Sequence, residues 1–286
     1  MTLKRKPSWL KIKLSGGENY RQVKKVVNDN QLHTICQSGN CPNMGECWSM
    51  GTATFMILGE ICTRSCKFCA TKTGKPLPVD EKESEKVARS VKLMKLKHCV
   101  ITSVDRDDLA DGGAEVWAKT ITAIKKVNPE TTIEVLLPDF MGKKEDIEKV
   151  LEARPEIAAH NLETVKRLTP NVRSAAKYER SLKVIEWISL SEIKTKSGIM
   201  VGLGETFDEV MKTMQDLRKA GCEIITIGQY LQPGHSHLPV AEYIHPDVFA
   251  KYKEEGMKMG FTLVESNPLV RSSYHAEGDF RKISNV

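Results

Sequence analysis

The amino-acid sequence predicts an α/β protein, a partial (β/α)6-type TIM barrel with an N-terminal extension and a C-terminal closing tail. Three observations predict it. Apolar, β-branched runs alternate with helical stretches from residue 52 to residue 265, and strands separated by helices pair in parallel through right-handed crossovers. The alternation amounts to six or seven units, short of the eight of a closed barrel. Six of the eight cysteines fall between residues 36 and 69, just before and just after the first strand.

The elements follow in order. Residues 1–51 divide into a basic arm and a cysteine-rich, glycine-punctuated segment that starts at Cys36. Residues 52–59 (TATFMILG) read as a β-branched, apolar strand. Residues 80–96 carry an apolar stripe at Val87, Val91 and Met94, which is helical spacing, and Asp80 and Glu83 suit its N-terminal cap. Further strands are expected at residues 98–104, 132–137, 157–161, 196–201, 223–229 and 261–265. Further helices are expected at 114–127, 144–153, 178–188, 206–220 and 247–259. The fourth of these five opens with Thr206 and Glu209 at capping-box spacing. Residues 52–265 form the barrel and residues 266–286 the tail. Chemistry in such barrels sits on the loops at the carboxyl ends of the strands.

A chain of 286 residues suggests one or two domains and buries roughly three quarters of its unfolded surface, so it needs no staples to fold. With 40% hydrophobic and 28% charged residues, it has the balance of an ordinary globular protein. No run of 18 or more apolar residues is present, which argues against a membrane span. The first residues, MTLKRKPSWLKIKL, lack the long apolar stretch and cleavage site of a secretory signal. A cytoplasmic, reducing setting is therefore expected, and there clustered cysteines favour metal binding over disulfides. The charge is uneven. Lys4, Arg5, Lys6, Lys11, Lys13, Arg21, Lys24 and Lys25 stand against Glu18 alone, more positive than the whole chain's +6. The arm is either a solvated basic segment or an electrostatic guide for an acidic partner, worth roughly 10 to 10³ in association rate. Nucleic acid is a poorer partner, because no helix-turn-helix, zinc-finger or aromatic stacking pattern accompanies the charge.

Cys62, Cys66 and Cys69 form CTRSCKFC, a C-x3-C-x2-C spacing just after the first strand. Three thiolates on one short loop can hold three irons of a [4Fe–4S] cluster and leave the fourth open. Structural zinc would want four ligands, usually from paired C-x2-C elements, and no fourth lies nearby. Cys36, Cys41 and Cys47 form a second triad, C-x4-C-x5-C. Taken alone it could equally be spare cysteines or a zinc knuckle.

The first spacing, with Phe68 before its last cysteine, resembles the signature of the radical S-adenosylmethionine superfamily. The resemblance implies that the open iron binds the amino and carboxylate groups of S-adenosylmethionine. Reductive cleavage then yields methionine and a 5′-deoxyadenosyl radical that abstracts hydrogen from an unactivated carbon. The pair of triads resembles, more narrowly, the lipoyl synthase family, and the likeness covers roughly residues 30–275. It implies that the N-terminal extension binds an auxiliary [4Fe–4S] cluster whose sulfides are inserted into the product. It also implies a fourth ligand from the RSSY motif Arg271, Ser272, Ser273, Tyr274, namely Ser273 rather than Ser272. A hydroxyl oxygen is a poorer partner for such iron than a thiolate, as a sacrificial cluster requires. The segments at residues 102–114, 160–165, 196–206 and 228–233 support the same likeness.

The resemblance also suggests residues around the cofactor. GIMVGLGE, with Gly198, Gly202 and Glu205, looks like the family's adenine-side motif, where glycines permit close backbone approach. Asn161 and Glu163 follow a strand and could hold the ribose hydroxyls, or could instead cap the next helix. Gly112 and Gly113 could offer carbonyls to the methionine amino group. Arg180 could pair with the methionine carboxylate, or lie on a solvated helix face. Cys99 and Cys222 read as inert buried thiols, His235 and His237 as structural, and Trp117 and Trp187 as core.

The activity implied is insertion of two sulfur atoms, at C6 and C8, into an octanoyl chain carried on a lysine of a lipoyl domain. One S-adenosylmethionine would be consumed per sulfur. Implied partners are octanoylated domains of 2-oxoacid dehydrogenase E2 subunits and the glycine cleavage H protein, a reductant such as flavodoxin or ferredoxin, and a carrier that rebuilds the cluster. Two rivals remain. One is a biotin-synthase-like sulfur inserter, and the other a zinc-stabilised module that holds nucleic acid with its basic arm.

Overall fold

The computed structural model describes residues 5–12 and 16–284. Helix α1 (Glu18–Asp29) buries Val23 and Val27, one turn apart, and leads into a two-residue strand, β1 (His33–Thr34). The short helices α2 (Ile35–Ser38) and α3 (Met44–Ser49) follow, α2 being capped by the Thr34 side chain, which accepts the Gln37 N–H. The barrel begins at β2 (Thr54–Ile57), whose four residues are all buried. After it comes a small ribbon, β3 (Ile61–Cys62) with β4 (Lys72–Thr73). The alternation then runs α4 (Glu83–Leu93), β5 (His98–Ser103), α5 (Ala114–Val127), β6 (Thr132–Leu136), α6 (Lys144–Glu152) and β7 (Ile157–Ala159). It continues with α7 (Thr169–Val172), α8 (Tyr178–Ser189), β8 (Lys194–Val201), α9 (Phe207–Lys219), β9 (Ile224–Gln229), α10 (Pro246–Lys258) and β10 (Leu263–Ser266). Helix α11 (Ala276–Ser284) ends the described chain.

The main sheet has eight strands in the order β1-β2-β5-β6-β7-β8-β9-β10. Seven are parallel, and β1 alone is antiparallel, with His33 opposite Met56. No pairing joins β1 to β10, so the barrel stays open, as a partial barrel does. Parallel strands are covered by helices outside and filled by side chains inside, which is why Phe55, Ile57, Ile101, Ile133 and Val135 are all fully buried. Each such side chain contributes roughly 1.5–3 kcal/mol on burial. Trp117 lies in this core, whereas Trp187 is only partly buried against it.

The capping box at Thr206 and Glu209 is present in both halves. The expected cap of α4 is not. The Asp80 carboxylate accepts the Lys82 N–H and pairs with Lys86, while Glu83 turns inward to accept the N–H groups of Leu58 (2.7 Å) and Gly59 (3.4 Å). A buried carboxylate there satisfies two donors at the end of β2, where Leu58 takes a left-handed φ of 68°.

The C-terminal tail descends the barrel. Near the top, the Val270 carbonyl packs so tightly on Gly228 that a Cβ there would lie 2.2 Å from it. Lower down, Ser273 meets Thr54, the first residue of β2. At the bottom, Phe280 of α11 stacks on His98, and Ile283 joins Ile157, Ile224 and Leu263, the first residues of three strands. Above that plug, Lys196 and Glu134 form an ion pair at 2.7 Å, both almost fully buried.

Candidate metal centre and active site

A cavity of about 580 Å³ opens at the carboxyl ends of the strands. Cys62, Cys66 and Cys69 line it on one side and Cys36 and Cys41 on another, with Phe68, Asn161, Glu163, Gly198, Ser272 and Ser273 between them. A smaller cavity of about 260 Å³ adjoins it and is lined by Cys36, Cys41 and Cys47 together with Ser273. Cys36, Cys41 and Ser273 therefore stand in the wall between two spaces. A wider depression of about 860 Å³ at the opposite end of the barrel holds no cysteine.

The loop that carries Cys62, Cys66 and Cys69 is clamped from three sides. Lys67 donates its N–H to Val172 (2.9 Å), and Leu238 donates to Lys67 (3.1 Å). Ser65 N–H reaches the Ser174 hydroxyl, and His237 Nε2 meets the Cys69 carbonyl at 3.0 Å. Arg64, between two of the cysteines, is 4% exposed and donates twice to Asp107 and once to Asp139, each at 2.7 Å, with Asp105 at 3.2 Å. The Cys62 sulfur accepts N–H groups from Arg64 and Asp105, both at 3.4 Å. Such donors favour a thiolate over a thiol.

Burial pushes Cys36, Cys41 and Cys69 up, and pushes Cys47 and Cys62 up to about 12, with neighbouring thiols and carboxylates adding to it. Metal binding at either triad must release protons. Among the described residues no three His, Cys, Asp or Glu side chains converge on a point that could hold a single ion. Three soft thiolates on each short segment suit a cube in which each cysteine takes a different iron. The donor set therefore fits an iron–sulfur cluster.

The cofactor-side residues separate into two groups. Gly198 lies in the wall, and a Cβ on it would sit 2.6 Å from Thr226 Oγ1 and 2.9 Å from Asn161 Oδ1. Asn161 donates to Glu163 (3.1 Å) and Ser272 (2.8 Å), while its buried Oδ1 has no hydrogen-bond partner, an acceptor left for a ligand. Glu163 is left-handed, and burial raises its carboxyl despite Arg173 and Asn161. Neither residue serves as a helix cap.

Gly202 and Glu205 do not reach the cavity. The Glu205 carboxylate accepts the N–H groups of Gly202 and Leu203, and Gly202 leaves room for Gln229. Gly112 and Gly113 also stand off. Both are left-handed, packed against Phe140 and Leu58, and the Gly113 carbonyl already accepts the Trp117 N–H. Arg180 is neither solvated nor in the cavity wall. It is 16% exposed and paired with the buried Asp139 at 2.8 Å.

Arg173 lines the cavity, as Lys6, Arg64 and Arg271 also do; it is buried and bonded to Leu162 and Ser181, and no motif announces it. The basic arm is also placed differently from a free solvated segment. Leu10 is buried, Trp9 meets the His245 ring edge-on, and Lys6 and Ile12 line the cavity mouth. Lys4 and Lys13 lie outside the described residues. Cys99 and Cys222 are fully buried with raised thiols, away from both triads.

Residues 56–237 match the family model described as the radical SAM superfamily. The chain is 64% identical over 277 residues to a protein named lipoyl synthase from Bacteroides fragilis (strain YCH46), covering 97% of this chain and 96% of that one. It is 63% identical over 273 residues to a lipoyl synthase from Phocaeicola vulgatus, covering 96% of each. Among solved structures, methylornithine synthase superposes with a TM-score of 0.55 at 11% identity over 88% of this chain and 80% of its own, a likeness of fold. No helix among the described residues is long and apolar enough to cross a membrane.

Proposed function

We infer the reaction from one premise: this chain belongs to the lipoyl synthase family of the radical SAM superfamily. It is a sulfurtransferase that uses S-adenosylmethionine and iron–sulfur chemistry to insert sulfur into the octanoyl chain of a lipoyl-domain substrate. In the finer reading there are two [4Fe–4S] clusters. Cys62, Cys66 and Cys69 hold one with an iron open to S-adenosylmethionine, and Cys36, Cys41, Cys47 and Ser273 hold the auxiliary one that donates sulfur to C6 and C8. When bound, these groups supply the electron, the hydrogen-abstracting radical and the sulfur.

The protein's own part is to bind, orient and shield. Asn161 Oδ1 and the Glu163 carboxylate would hold the ribose, the bare Gly198 backbone would admit the adenine side, and Arg173 would be a cation for the methionine carboxylate. Phe68 and the arm residue Ile12 wall the space against water. Of the two tail serines, Ser272 is held by Asn161, whereas Ser273 faces both cavities beside the auxiliary triad, which favours Ser273 as ligand. Gly112, Gly113, Gly202, Glu205 and Arg180 are assigned to shaping this wall from behind.

The division into residues 1–51, 52–265 and 266–286 follows the same logic: auxiliary segment, barrel, closing tail. E2 lipoyl domains or the glycine cleavage H protein as substrates, flavodoxin or ferredoxin as reductant, a cluster-rebuilding carrier and a cytoplasmic setting complete the reading. The observation that carries it is a single cavity walled by cysteines of both triads and by Ser273. Anaerobic reconstitution should give about eight irons per chain. With reductant and an octanoyl-lysyl peptide, the loaded protein should form the lipoyl product, whereas Cys36→Ser should still cleave S-adenosylmethionine and insert no sulfur. Sulfur insertion that survives Cys36→Ser would sink the two-cluster reading.

A further inference from the structure

Among the described residues, Arg271 is a cation without a carboxylate partner. It opens the RSSY segment and lies in the wall shared by the two cavities, beside Cys36, Cys41 and Ser273. A guanidinium offers five N–H donors. Here Nη1 donates to the Val270 carbonyl at 2.6 Å, and among the described residues no carboxylate is ion-paired with it. Arg64, Arg106 and Arg180 are each matched to an aspartate. Cys41 lines both cavities with Arg271. The backbone makes room for this arrangement, since a Cβ on Gly228 would come within 3.2 Å of Arg271 Nη1.

A sequestered, unmatched cation is costly unless an anion joins it. Three thiolates gathered around an inorganic cluster would supply that anion. In return the cation offsets the negative charge they concentrate where water is scarce. We propose that Arg271 is the charge-balancing residue of the auxiliary centre, setting how firmly its iron is kept. The proposal rests on the reading that Cys36, Cys41 and Cys47 hold a cluster. The net charge around a cluster and the hydrogen bonds to its sulfurs set its reduction potential, so the role has a readout independent of turnover.

The test uses the full chain with Cys62, Cys66 and Cys69 replaced by Ala, so that any iron reports on the auxiliary centre. Arg271→Gln and Arg271→Lys are compared with this parent. The parent and the Lys variant should load about four irons. The Gln variant should show a more negative midpoint potential by electron paramagnetic resonance titration and at least tenfold faster loss of iron to a chelator. Circular dichroism, with the charge-retaining Lys variant alongside, separates lost charge from a lost fold. A Gln variant equal to the parent in potential and in chelation rate overturns the role of Arg271 alone. A parent that takes up no iron overturns the cluster reading, and this role with it.

Discussion

Replacing Arg64 by Met should destabilise the metal-free protein severely. The substitution keeps length and apolar stem but removes the one cation that faces Asp105, Asp107 and Asp139 together. Breaking a buried ion pair from one side costs about 3–5 kcal/mol, because a carboxylate is left buried without a partner. Two features place the effect toward the lower end. Asp139 keeps Arg180, and the Asp105 and Asp107 side chains are 24% and 27% exposed, so water can reach them. A chain of 286 residues has an unfolding entropy near Tm of about 0.6 kcal/mol/K, so a loss of about 3–5 kcal/mol lowers Tm by about 5–8 °C. Circular-dichroism melting of the metal-free chain measures this directly. Arg64→Lys should fall between, since a point charge cannot reproduce the two-pronged contact with Asp107. After reconstitution, Arg64→Met should lose iron from Cys62, Cys66 and Cys69 while the other triad stays loaded. A Tm within about 1 °C of the parent, with full iron, would refute the idea that this network holds the cysteine loop.

Three other outcomes are expected. Gly198→Ala should lower the melting temperature by about 2–5 °C, an overpacking cost of about 1–3 kcal/mol, and weaken S-adenosylmethionine binding at least tenfold, about 1.4 kcal/mol, because the new methyl meets Asn161 and Thr226; equilibrium dialysis giving an unchanged Kd contradicts the assignment. His160 is buried between the Leu137 carbonyl and the Ser181 hydroxyl, and burial drops its pKa from 6.5 to about 4. The unfolded chain then binds the proton first, so stability is full above about pH 6.5 and falls by up to about 3 kcal/mol toward pH 4. Urea titrations across that range should show a shallower fall for His160→Gln, and parallel curves would disprove the contribution. Cys99→Ala and Cys222→Ala should each cost about 1–2 kcal/mol in urea with iron content unchanged, and a drop in iron would show that these thiols do more than pack.

Much of this was legible in the residues. Apolar, β-branched runs and period-3.6 stripes placed the strands and helices to within a few residues, since burial in a sheet or on a helix face is written locally. The two triads and the RSSY tail were legible because soft ligands at short spacings have few other uses. What escaped was long-range. Arg173 carries no motif, and only the fold brings it beside Glu163. Asp80 and Glu83 looked like capping residues by spacing, yet tertiary burial turned Glu83 toward β2. Gly112, Gly113 and Gly202 looked like ligand-cradling glycines, but their left-handed turns serve packing against Phe140, Leu58 and Gln229. The basic arm's charge was plain, whereas its place at the mouth involves the contact of Trp9 with His245, more than two hundred residues away.

The tail that runs from Gly228 down to Thr54 imposes a sequence of events on biogenesis. Synthesis proceeds from the N-terminus, so Ser273 emerges after every strand of the barrel. The space beside Cys36, Cys41 and Cys47 can thus be sealed only once β10 has docked. A nascent chain that stalls short of that point would leave this triad open to the solvent on its tail side, exposed to oxidation and to adventitious metals.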